Sequence, residues 1–370
     1  MDKQIQESHE DTNDAKKSGA KKKWVKHVPL LIVEICVLIL AIGVMYVVVT
    51  ATKEVDRKKI DKEKITINEE VAEVIREEEE SNDTKGYRNI ALFGVDARDG
   101  ELGRGTRSDS IIIASINQDT QEITLVSVFR DTYLNLGNDS YNKCNAAYAQ
   151  GGPEQAISML NANLDLNITD YVTIGFGGLI DSVDALGGVE IEITDAEISH
   201  LNNYQLTMSE ELGVDYIPIE HSGKQLLNGM QATAYCRIRY TKGDDFRRAE
   251  RQRDVLTAMM EKAKTVSVGS LTNMVNAILP EVETSLGVNE IISVLGSVAG
   301  YDVVASDGFP FEDNRVGANV GSKGSCVIPD NLEENVKELH ELLYPDTDYK
   351  PSRQVTRISE EIETLTDEYR

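Results

Sequence analysis

Carboxylate and guanidinium side chains recur beside short apolar runs in the middle of this 370-residue chain. Asp96 follows the run IALFGV, Asp109 comes directly before SIIIASI, and Arg130 follows ITLVSVF. Carboxylates bind hard cations, and Mg²⁺ in proteins is usually shared between one or two carboxylates and substrate phosphates. Arginine binds phosphate oxygens through paired hydrogen bonds. The order of these residues predicts a site for a phosphate ester held together with a metal ion.

A second group of arginines lies in the segment AYCRIRYTKGDDFRRAERQRDV. Arg237 and Arg239 are two positions apart, so on an extended segment both side chains point the same way. Arg248 and Gln252 are four apart on a predicted helix and share one face. Buried guanidinium groups need an anionic partner, which a phosphate supplies. The remaining arginines of the helix are expected on its solvated face: Arg247, Arg251 and Arg253.

The presence of each of these residues can also be explained by a structural role. Aspartate is common in turns at strand ends, so Asp96 or Asp109 alone would not indicate a metal site. Other chemistries lack support, because the chain has no GxGxxG after a strand, no Walker lysine motif, no histidine cluster and no cysteine spacing typical of zinc. Cys144 and Cys326 could form a disulfide or remain buried thiols, and the sequence leaves both possibilities open.

The elements that must position these residues alternate between strand and helix patterns. Runs such as IALFGV, SIIIASI and ITLVSVF predict buried strands. The segment YNKCNAAYAQGG predicts a short helix stopped by glycines, and PEQAISMLNANL predicts a helix that begins at proline. Residues 195–222 are expected to be irregular, and further helices are expected near 269–279, 288–299 and 332–344. The mixed connections predict a three-layer α/β/α domain on a mixed central sheet.

The segment 28–52 holds 25 residues with a single charge, Glu34, which is long enough to cross a bilayer. We expect a single transmembrane helix there, preceded by a cytoplasmic tail (1–27) and followed by a charged stalk or linker (53–85). Lysines and arginines flank both ends, so their distribution does not fix the orientation. The globular domain is predicted over 86–345, with a loose polar tail over 346–370.

The net charge of −25 argues against nucleic acid as a partner, because such proteins present a basic face. It also argues against broad electrostatic adhesion to an anionic membrane surface. A local basic pocket within an acidic domain is a more specific signal than general basicity. The predicted partners are therefore a phosphate-bearing ligand and a membrane contacted through the single anchor.

The sequence blocks resemble the LytR-CpsA-Psr family of bacterial cell-envelope proteins over residues 88–265. The matching blocks are NIALFGVDAR, RSDSIII, SVFRDTY, NKCNAAYAQGG, DALGGVEI and LNGMQATAYCRIRY followed by DDFRRAERQ. The resemblance implies a catalytic domain outside the cytoplasm that transfers a phosphoglycopolymer, such as wall teichoic acid or capsule, from a polyprenyl-diphosphate lipid to peptidoglycan. The acceptor in the family is the 6-hydroxyl of muramic acid, and the released product is polyprenyl phosphate.

The resemblance also implies roles for individual residues. Asp96 and Asp109 would hold Mg²⁺ or Mn²⁺, and an aspartate (Asp96, Asp109 or Asp131) would take the acceptor proton. An apolar tunnel lined from 155–186 and 255–260 would hold the lipid. The diphosphate head would be bound by arginines and a glutamine: Arg130, Arg237, Arg239, Arg248 and Gln252, with Arg98 and Arg107 as further clamps.

Two positions depart from the family pattern, and three other functions stay open. Phe129 stands where proline normally precedes the arginine-aspartate pair, which could alter the bend that directs Arg130, and Cys144 replaces an aliphatic residue. A hydrolase that cleaves the polyprenyl diphosphate could use the same site. A membrane-tethered attenuator of gene expression, or a passive lipid- or wall-binding module, would need no turnover.

Overall fold

The computed structural model describes residues 64–80, 86–96, 102, 105–239, 244–267, 271, 275, 278, 281–287, 290–291, 294 and 298–370. The expected tail (1–27) and transmembrane segment (28–52) lie outside the described residues, as does Arg98. Among the helices of the described ranges, none combines the length and the apolar character that a bilayer crossing needs.

The described elements alternate as the sequence patterns indicate. In chain order they are α1 (Glu69–Glu80), β1 (Tyr87–Val95), β2 (Ser108–Asn117), β3 (Glu122–Val128), β4 (Tyr133–Asn135), β5 (Tyr141–Lys143), α2 (Asn145–Leu164), β6 (Asp170–Ile174), α3 (Phe176–Ala185), β7 (Val189–Ile193), α4 (Asp195–Leu212), β8 (Gly223–Leu227), α5 (Gly229–Arg237), α6 (Asp244–Thr265), β9 (Val282–Thr284), β10 (Asp302–Phe309), β11 (Arg315–Asn319), β12 (Ser325–Pro329), α7 (Leu332–Leu343) and α8 (Arg353–Thr366).

The central sheet has six strands in the order β10-β3-β2-β1-β6-β9. β1 is antiparallel to β2 and parallel to β6, whereas β3 is antiparallel to β2 and parallel to β10. The predicted mixed α/β fold with a mixed central sheet is therefore confirmed. Parallel pairs require crossover helices, and these helices cover both faces of the sheet.

Alternate residues of each central strand face opposite helical layers. On one face, Phe93 and Ile113 join a buried cluster with α2, α7 and α8. On the other face, Ile112 and Leu125 pack against Leu256 of α6. Because strand side chains alternate, strands covered on both faces read as continuous apolar runs. A second cluster, beside this layer, joins the β7–β8 hairpin to α3, α4, α5 and α6.

Several local predictions require correction. Residues 195–212 form helix α4 rather than irregular structure, and a capping box of Thr194 and Glu197 begins it. The glycines that were predicted to stop a helix instead kink α2 at Gly152, where φ is 70° and ψ is −158°, just before Pro153. The helices expected near 269–279 and 288–299 lie mostly outside the described residues.

The two ends of the domain also differ from their predicted positions. The loose tail expected from 346 is wrong, because α8 packs Val355, Ile358 and Ile362 into the main core. These apolar positions are three and four apart, which places them on one helix face. At the other end, Asn68 is buried and donates a hydrogen bond to Asp165, so the domain begins before Gly86.

Candidate active site

The antiparallel pairing of β1 and β2 brings two predicted carboxylates to one edge of the sheet. Gly94 pairs with Ser110 and Val95 pairs with Ser108, so Asp109 is the extra residue of a β-bulge. A bulge redirects a side chain at the end of a ladder, which is common near active sites. Asp96 follows Val95 directly, and both Asp96 and Asp109 line the same cavity.

Arg130, directly after Phe129 beyond the end of β3, forms the centre of an ion-pair network. Its Nη1 lies 2.7 Å from Oδ1 of Asp109, and its Nε lies 3.0 Å from Oδ2 of Asp245 and 3.6 Å from Oδ2 of Asp131. Burial by itself would lower the pKa of Arg130, but these carboxylates raise it above the usual value. The predicted convergence of Asp109 and Arg130 is therefore present in the fold.

The two arginines of the CRIR segment reach the cavity by different backbone conformations. The expected extended segment is wrong, because Arg237 is the last residue of α5 and Ile238 is its extended C-cap. The guanidinium of Arg237 lies 4.7 Å from the ring centroid of Phe176 and 5.5 Å from that of Tyr204. Arg239 places Nη2 3.6 Å from Oδ2 of Asp109. Both arginines line the cavity.

Arg248 and Gln252 share a face of α6 as predicted, and both line the cavity. Arg248 is 4% exposed, and it donates from Nη2 to the backbone oxygen of Asp109 at 3.2 Å. Its Nε and Nη1 are buried without a hydrogen-bond partner among the described residues. Burial lowers the pKa of Arg248 to about 10, with Asp245 opposing and Arg130 reinforcing that shift. Buried donors without acceptors are costly, so this side chain is suited to an anionic ligand.

Two arginines of α6 do not lie on a solvated face, contrary to the sequence prediction. Arg251 is buried against Glu197 of α4, with 2.8 Å between Nε and Oε1. Arg253 is 7% exposed and donates to Oγ of Ser306 at 2.7 Å. Sequence reasoning missed Glu197 because the helix that carries it was not predicted. The T-x-x-E pattern at 194–197 is the signal that could have revealed that helix.

A cavity of about 640 Å³ extends from this charged group between the sheet and α6. Its walls are mainly apolar and come from β1, β2, β6, α3 and α6, with further side chains from 275–294. The expected lining from 255–260 is confirmed by Val255, Leu256 and Met259. The expected lining from 155–186 is confirmed for 172–182, which contributes side chains such as Val172, Ile174 and Leu179. It is wrong for 155–164, because that part of α2 packs on the opposite face of the sheet. The cavity therefore combines an apolar channel with a cationic end.

Arg107 lies away from this cavity. Its side chain is exposed and lines a separate pocket of about 260 Å³ with Lys143 and Lys323. Arg107 and Asp109 are two positions apart in sequence. Asp109 is the bulge residue within β2, whereas Arg107 precedes the paired strand, which begins at Ser108. The prediction that Arg107 joins the same group of arginines is therefore not supported by its position.

The unusual Phe129 fits its surroundings. Its ring packs edge-on against Phe246, with 4.6 Å between centroids, and its backbone N–H donates to Phe309 at 3.0 Å. A proline would lack this N–H. Cys144 donates from Sγ to the carbonyl oxygen of Phe129 at 3.2 Å. Cys144, Cys236 and Cys326 are buried free thiols, so the possible Cys144–Cys326 disulfide is absent from the described residues.

The model of the LytR_cpsA_psr family matches residues 44–329, which include all the arginines and aspartates described above. The chain belongs to the LytR_cpsA_psr family. The match covers the charged end of the cavity, the walls around it and most of the central sheet, so the family resemblance drawn from the sequence blocks is confirmed.

Named relatives of this family member include enzymes of the cell wall. It is 34% identical over 207 residues to the polyisoprenyl-teichoic acid–peptidoglycan teichoic acid transferase TagU of Enterococcus faecalis, covering 55% of this chain and 63% of that protein. Protein gbs0355 of Streptococcus agalactiae is a similar solved structure, with 26% identity, a TM-score of 0.59, and coverage of 73% of this chain and 92% of the other.

A third comparison concerns the fold. Bacillus subtilis YwtF (TagT), solved with bound octaprenyl pyrophosphate lipid, is 21% identical with a TM-score of 0.51. The match covers 70% of this chain and 91% of the other. At this identity the similarity shows a shared fold only. The bound lipid was observed in that protein.

Proposed function

We propose that this chain transfers a phosphoglycopolymer from a polyprenyl-diphosphate lipid to peptidoglycan, and releases polyprenyl phosphate. The observation that carries the proposal is the buried guanidinium of Arg248 at the end of an apolar cavity, because its Nε and Nη1 have no acceptor among the described residues. A diphosphate with a prenyl tail matches both parts of that cavity. The polymer class follows the relatives that are named as teichoic acid transferases.

The position of each residue in the cavity determines which part of the lipid it contacts. The prenyl chain lies along the apolar walls formed by residues such as Val172 and Leu256. The diphosphate lies among the guanidinium groups at the other end, contributed by Arg130, Arg237, Arg239 and Arg248 with the amide of Gln252. Fixed cations in a partly buried site stabilise charge that develops on the leaving phosphate, and this is the main protein contribution to phosphoryl transfer.

The proposed reaction is a single displacement at phosphorus. The acceptor hydroxyl attacks the phosphorus that carries the glycan, and a new phosphate ester bond forms. The bridging P–O bond of the diphosphate breaks, and the electron pair leaves with polyprenyl phosphate. The proton passes to a carboxylate of the site.

The donor set is compatible with a divalent cation. Asp96 and Asp109 line one cavity, and no cluster of three or more histidine, cysteine or acidic residues occurs in the described part of the chain. Mg²⁺ usually takes one or two carboxylates together with substrate phosphates, so two aspartates suffice. We assign Asp96 and Asp109 to Mg²⁺, or Mn²⁺ in its place, which would neutralise charge on the diphosphate.

The location follows from the same proposal. Segment 28–52 has the length and apolar character of a single membrane anchor, and a cavity for a prenyl lipid belongs beside a membrane. Peptidoglycan lies outside the cytoplasm, so the domain is proposed to face that side.

The test uses the full chain, a polyprenyl-diphosphate-linked glycan and peptidoglycan oligomers. Wild-type protein with Mg²⁺ should form the polymer–peptidoglycan product and polyprenyl phosphate, and chelation should abolish both. Asp109→Asn and Arg239→Ala should reduce turnover at least a hundredfold, the scale of losing one transition-state contact. Arg357→Ala, an exposed arginine on α8, is the matched control and should leave turnover unchanged.

The same assay separates the alternative functions. Release of polyprenyl phosphate at an equal rate without peptidoglycan would favour a hydrolase. Binding of the lipid with no product in either condition would favour a passive binding module or an attenuator. Unchanged transfer by Asp109→Asn would contradict the proposed site.

A further inference from the structure

A second concave site lies near the ion-pair network and shares no lining residue with the lipid cavity. This basic pocket, of about 260 Å³, is lined by Arg107, Asn142, Lys143, Asn145, Ser322 and Lys323, with Ala146. Its walls come from Arg107 just before β2, from β5 and α2, and from the short turn between β11 and β12. Three cations in one pocket stand out in a chain of net charge −25.

The cations of the basic pocket are largely available to a ligand. Arg107 and Lys323 are exposed, and no carboxylate of the described residues forms an ion pair with either. Lys143 is partly neutralised by Asp131, with 2.9 Å between Nζ and Oδ1. The remaining positive charge predicts an oxyanion as the ligand, and a phosphate group can accept hydrogen bonds from several of these donors together.

A neutral group in the same pocket adds a second requirement. Asn145 is 4% exposed, and its Oδ1 is buried without a hydrogen-bond partner among the described residues. An amide oxygen accepts hydrogen bonds, so the oxygens of an ionised phosphodiester, which only accept, would leave it unsatisfied. A hydroxyl beside the phosphate would satisfy it. The pocket therefore matches a ligand that carries both an oxyanion and hydroxyl groups.

The basic pocket is connected to the reaction site through Asp131. This aspartate contacts Lys143 at one end, and its Oδ2 lies 3.6 Å from Nε of Arg130 at the other. The backbone of Asp131 also accepts a hydrogen bond from Val327 at 2.9 Å, which holds β12 beside this segment. A chain that leaves the diphosphate near Arg130 could therefore reach the pocket.

We propose that the basic pocket binds a polyol-phosphate unit of the polymer, downstream of the diphosphate that occupies the main site. The proposal rests on the proposed transferase function and adds a selectivity to it. Donors with an anionic polyol-phosphate chain would be bound at two places, whereas donors with a short neutral glycan would be bound at one. The pocket would thus favour loaded donors over unfinished ones.

The test compares two donors with the same polyprenyl diphosphate, one carrying a polyol-phosphate chain and one carrying only its first sugars. Lys323→Glu reverses one exposed charge of the pocket outside the proposed catalytic group. It should lower kcat/KM for the polymer-bearing donor about tenfold, the scale of one charge-assisted hydrogen bond, and leave the short donor unchanged. Lys337→Glu, an exposed lysine of α7 with the same charge change, should affect neither donor.

Other outcomes would overturn the proposal. Equal loss for both donors, or no loss for either, would exclude a polymer subsite. A loss with the short donor that appears only when the acceptor carries stem-peptide carboxylates would assign the pocket to the acceptor instead.

A direct titration separates this proposal from the proposed function. Glycerol phosphate should shift the backbone amide resonances of 142–146 and 321–323 in wild-type protein but not in Lys323→Glu. A wild-type chain that shows these shifts but transfers no polymer would overturn the proposed function alone. Absence of shifts in a chain that does transfer polymer would overturn the subsite alone.

Discussion

Arg251 and Glu197 form an ion pair between α6 and α4, with 2.8 Å between Nε and Oε1 and side-chain exposures of 1% and 2%. Arg251 also donates from Nη1 to the carbonyl oxygen of Ile238 at 3.1 Å. Ile238 separates Arg237 from Arg239, the two cavity arginines at the end of α5. The buried pair therefore anchors the backbone between two groups that we assign to the diphosphate.

Replacing Arg251 by alanine should destabilise the fold. The carboxylate of Glu197 would stay buried with only the more distant Arg247, whose Nη2 lies 3.8 Å from Oε1, and loss of a buried ion-pair partner typically costs about 3–5 kcal/mol. Urea unfolding followed by circular dichroism measures the loss. Arg357→Ala removes an exposed arginine whose Nη2 lies 3.7 Å from Asp139, and it should change stability by less than about 1 kcal/mol. Equal stability of the two variants would contradict the structural role of the buried pair.

Arg251 should also influence activity without contacting substrate. Arg251→Lys keeps the charge and loses the second donor to Ile238. We therefore expect a near wild-type content of secondary structure, but a less fixed position of Arg237 and Arg239. The expected result is a larger KM for the lipid donor, with recovery of most of the stability lost in Arg251→Ala. A lysine variant with unchanged KM would show that the hydrogen bond to Ile238 is dispensable for the site.

Stability should depend on the ionisation of Glu197. Burial by itself would raise the pKa of Glu197, but hydrogen bonds from Thr194 and Arg251 hold it below the usual value. A lowered pKa in the folded state contributes stability above the unfolded value, about 4.3, and that contribution is lost as the pH falls through the folded value. Urea midpoints measured from pH 7 to pH 3 should fall more steeply for wild type than for Glu197→Gln. Parallel curves would exclude this carboxylate as a source of acid sensitivity.

Filling the apolar cavity should block the lipid without removing a charged residue. Val172 lies on β6 in the cavity wall, and Val172→Trp would occupy part of the 640 Å³. Binding of a long-chain polyprenyl diphosphate should weaken at least tenfold, while a short water-soluble diphosphate should bind as before. Val304→Trp, at a position 55% exposed on β10, is the control and should bind both ligands normally. Equal binding of the long chain by Val172→Trp would place the tail elsewhere.

The three domain cysteines should resist alkylation in the folded protein. Burial raises the pKa of Cys236 to about 12 and also raises the pKa of Cys144, so little of the reactive thiolate forms at neutral pH. Iodoacetamide labelling followed by peptide mapping should show modification of Cys144, Cys236 and Cys326 after denaturation and almost none before. Rapid labelling of native Cys236 would contradict its buried position.

The sequence predicted the central sheet well because its signals are local. Residues 90–95, 110–116 and 123–129 are continuous apolar runs, and strands covered on both faces have that composition. The same reasoning failed for α4 and α8, whose apolar positions are few and separated by polar ones. Their helical state depends on capping groups and on contacts with distant segments, such as the packing of Ile358 and Ile362 in the main core.

For the candidate site, residue types were predictable and their grouping was less so. Asp109, Arg130 and Arg248 do converge, as expected from their order along the chain. Arg107, two positions from Asp109, instead lines the basic pocket. The β-bulge in β2 decides this difference, since it changes which of two neighbouring side chains faces each side. No pattern of residue types in the printed sequence signals that bulge.

The sequence alone determined the family, the mixed α/β class and the chemistry of the charged residues, because hydrophobic periodicity and motif order are properties of short segments. Only the tertiary structure decided which arginines line the lipid cavity, which are buried in ion pairs like that of Arg251 and Glu197, and which line the basic pocket. The reason is physical: the environment of a guanidinium group is set by residues far away in sequence, as for Arg251 and Glu197, which are 54 positions apart.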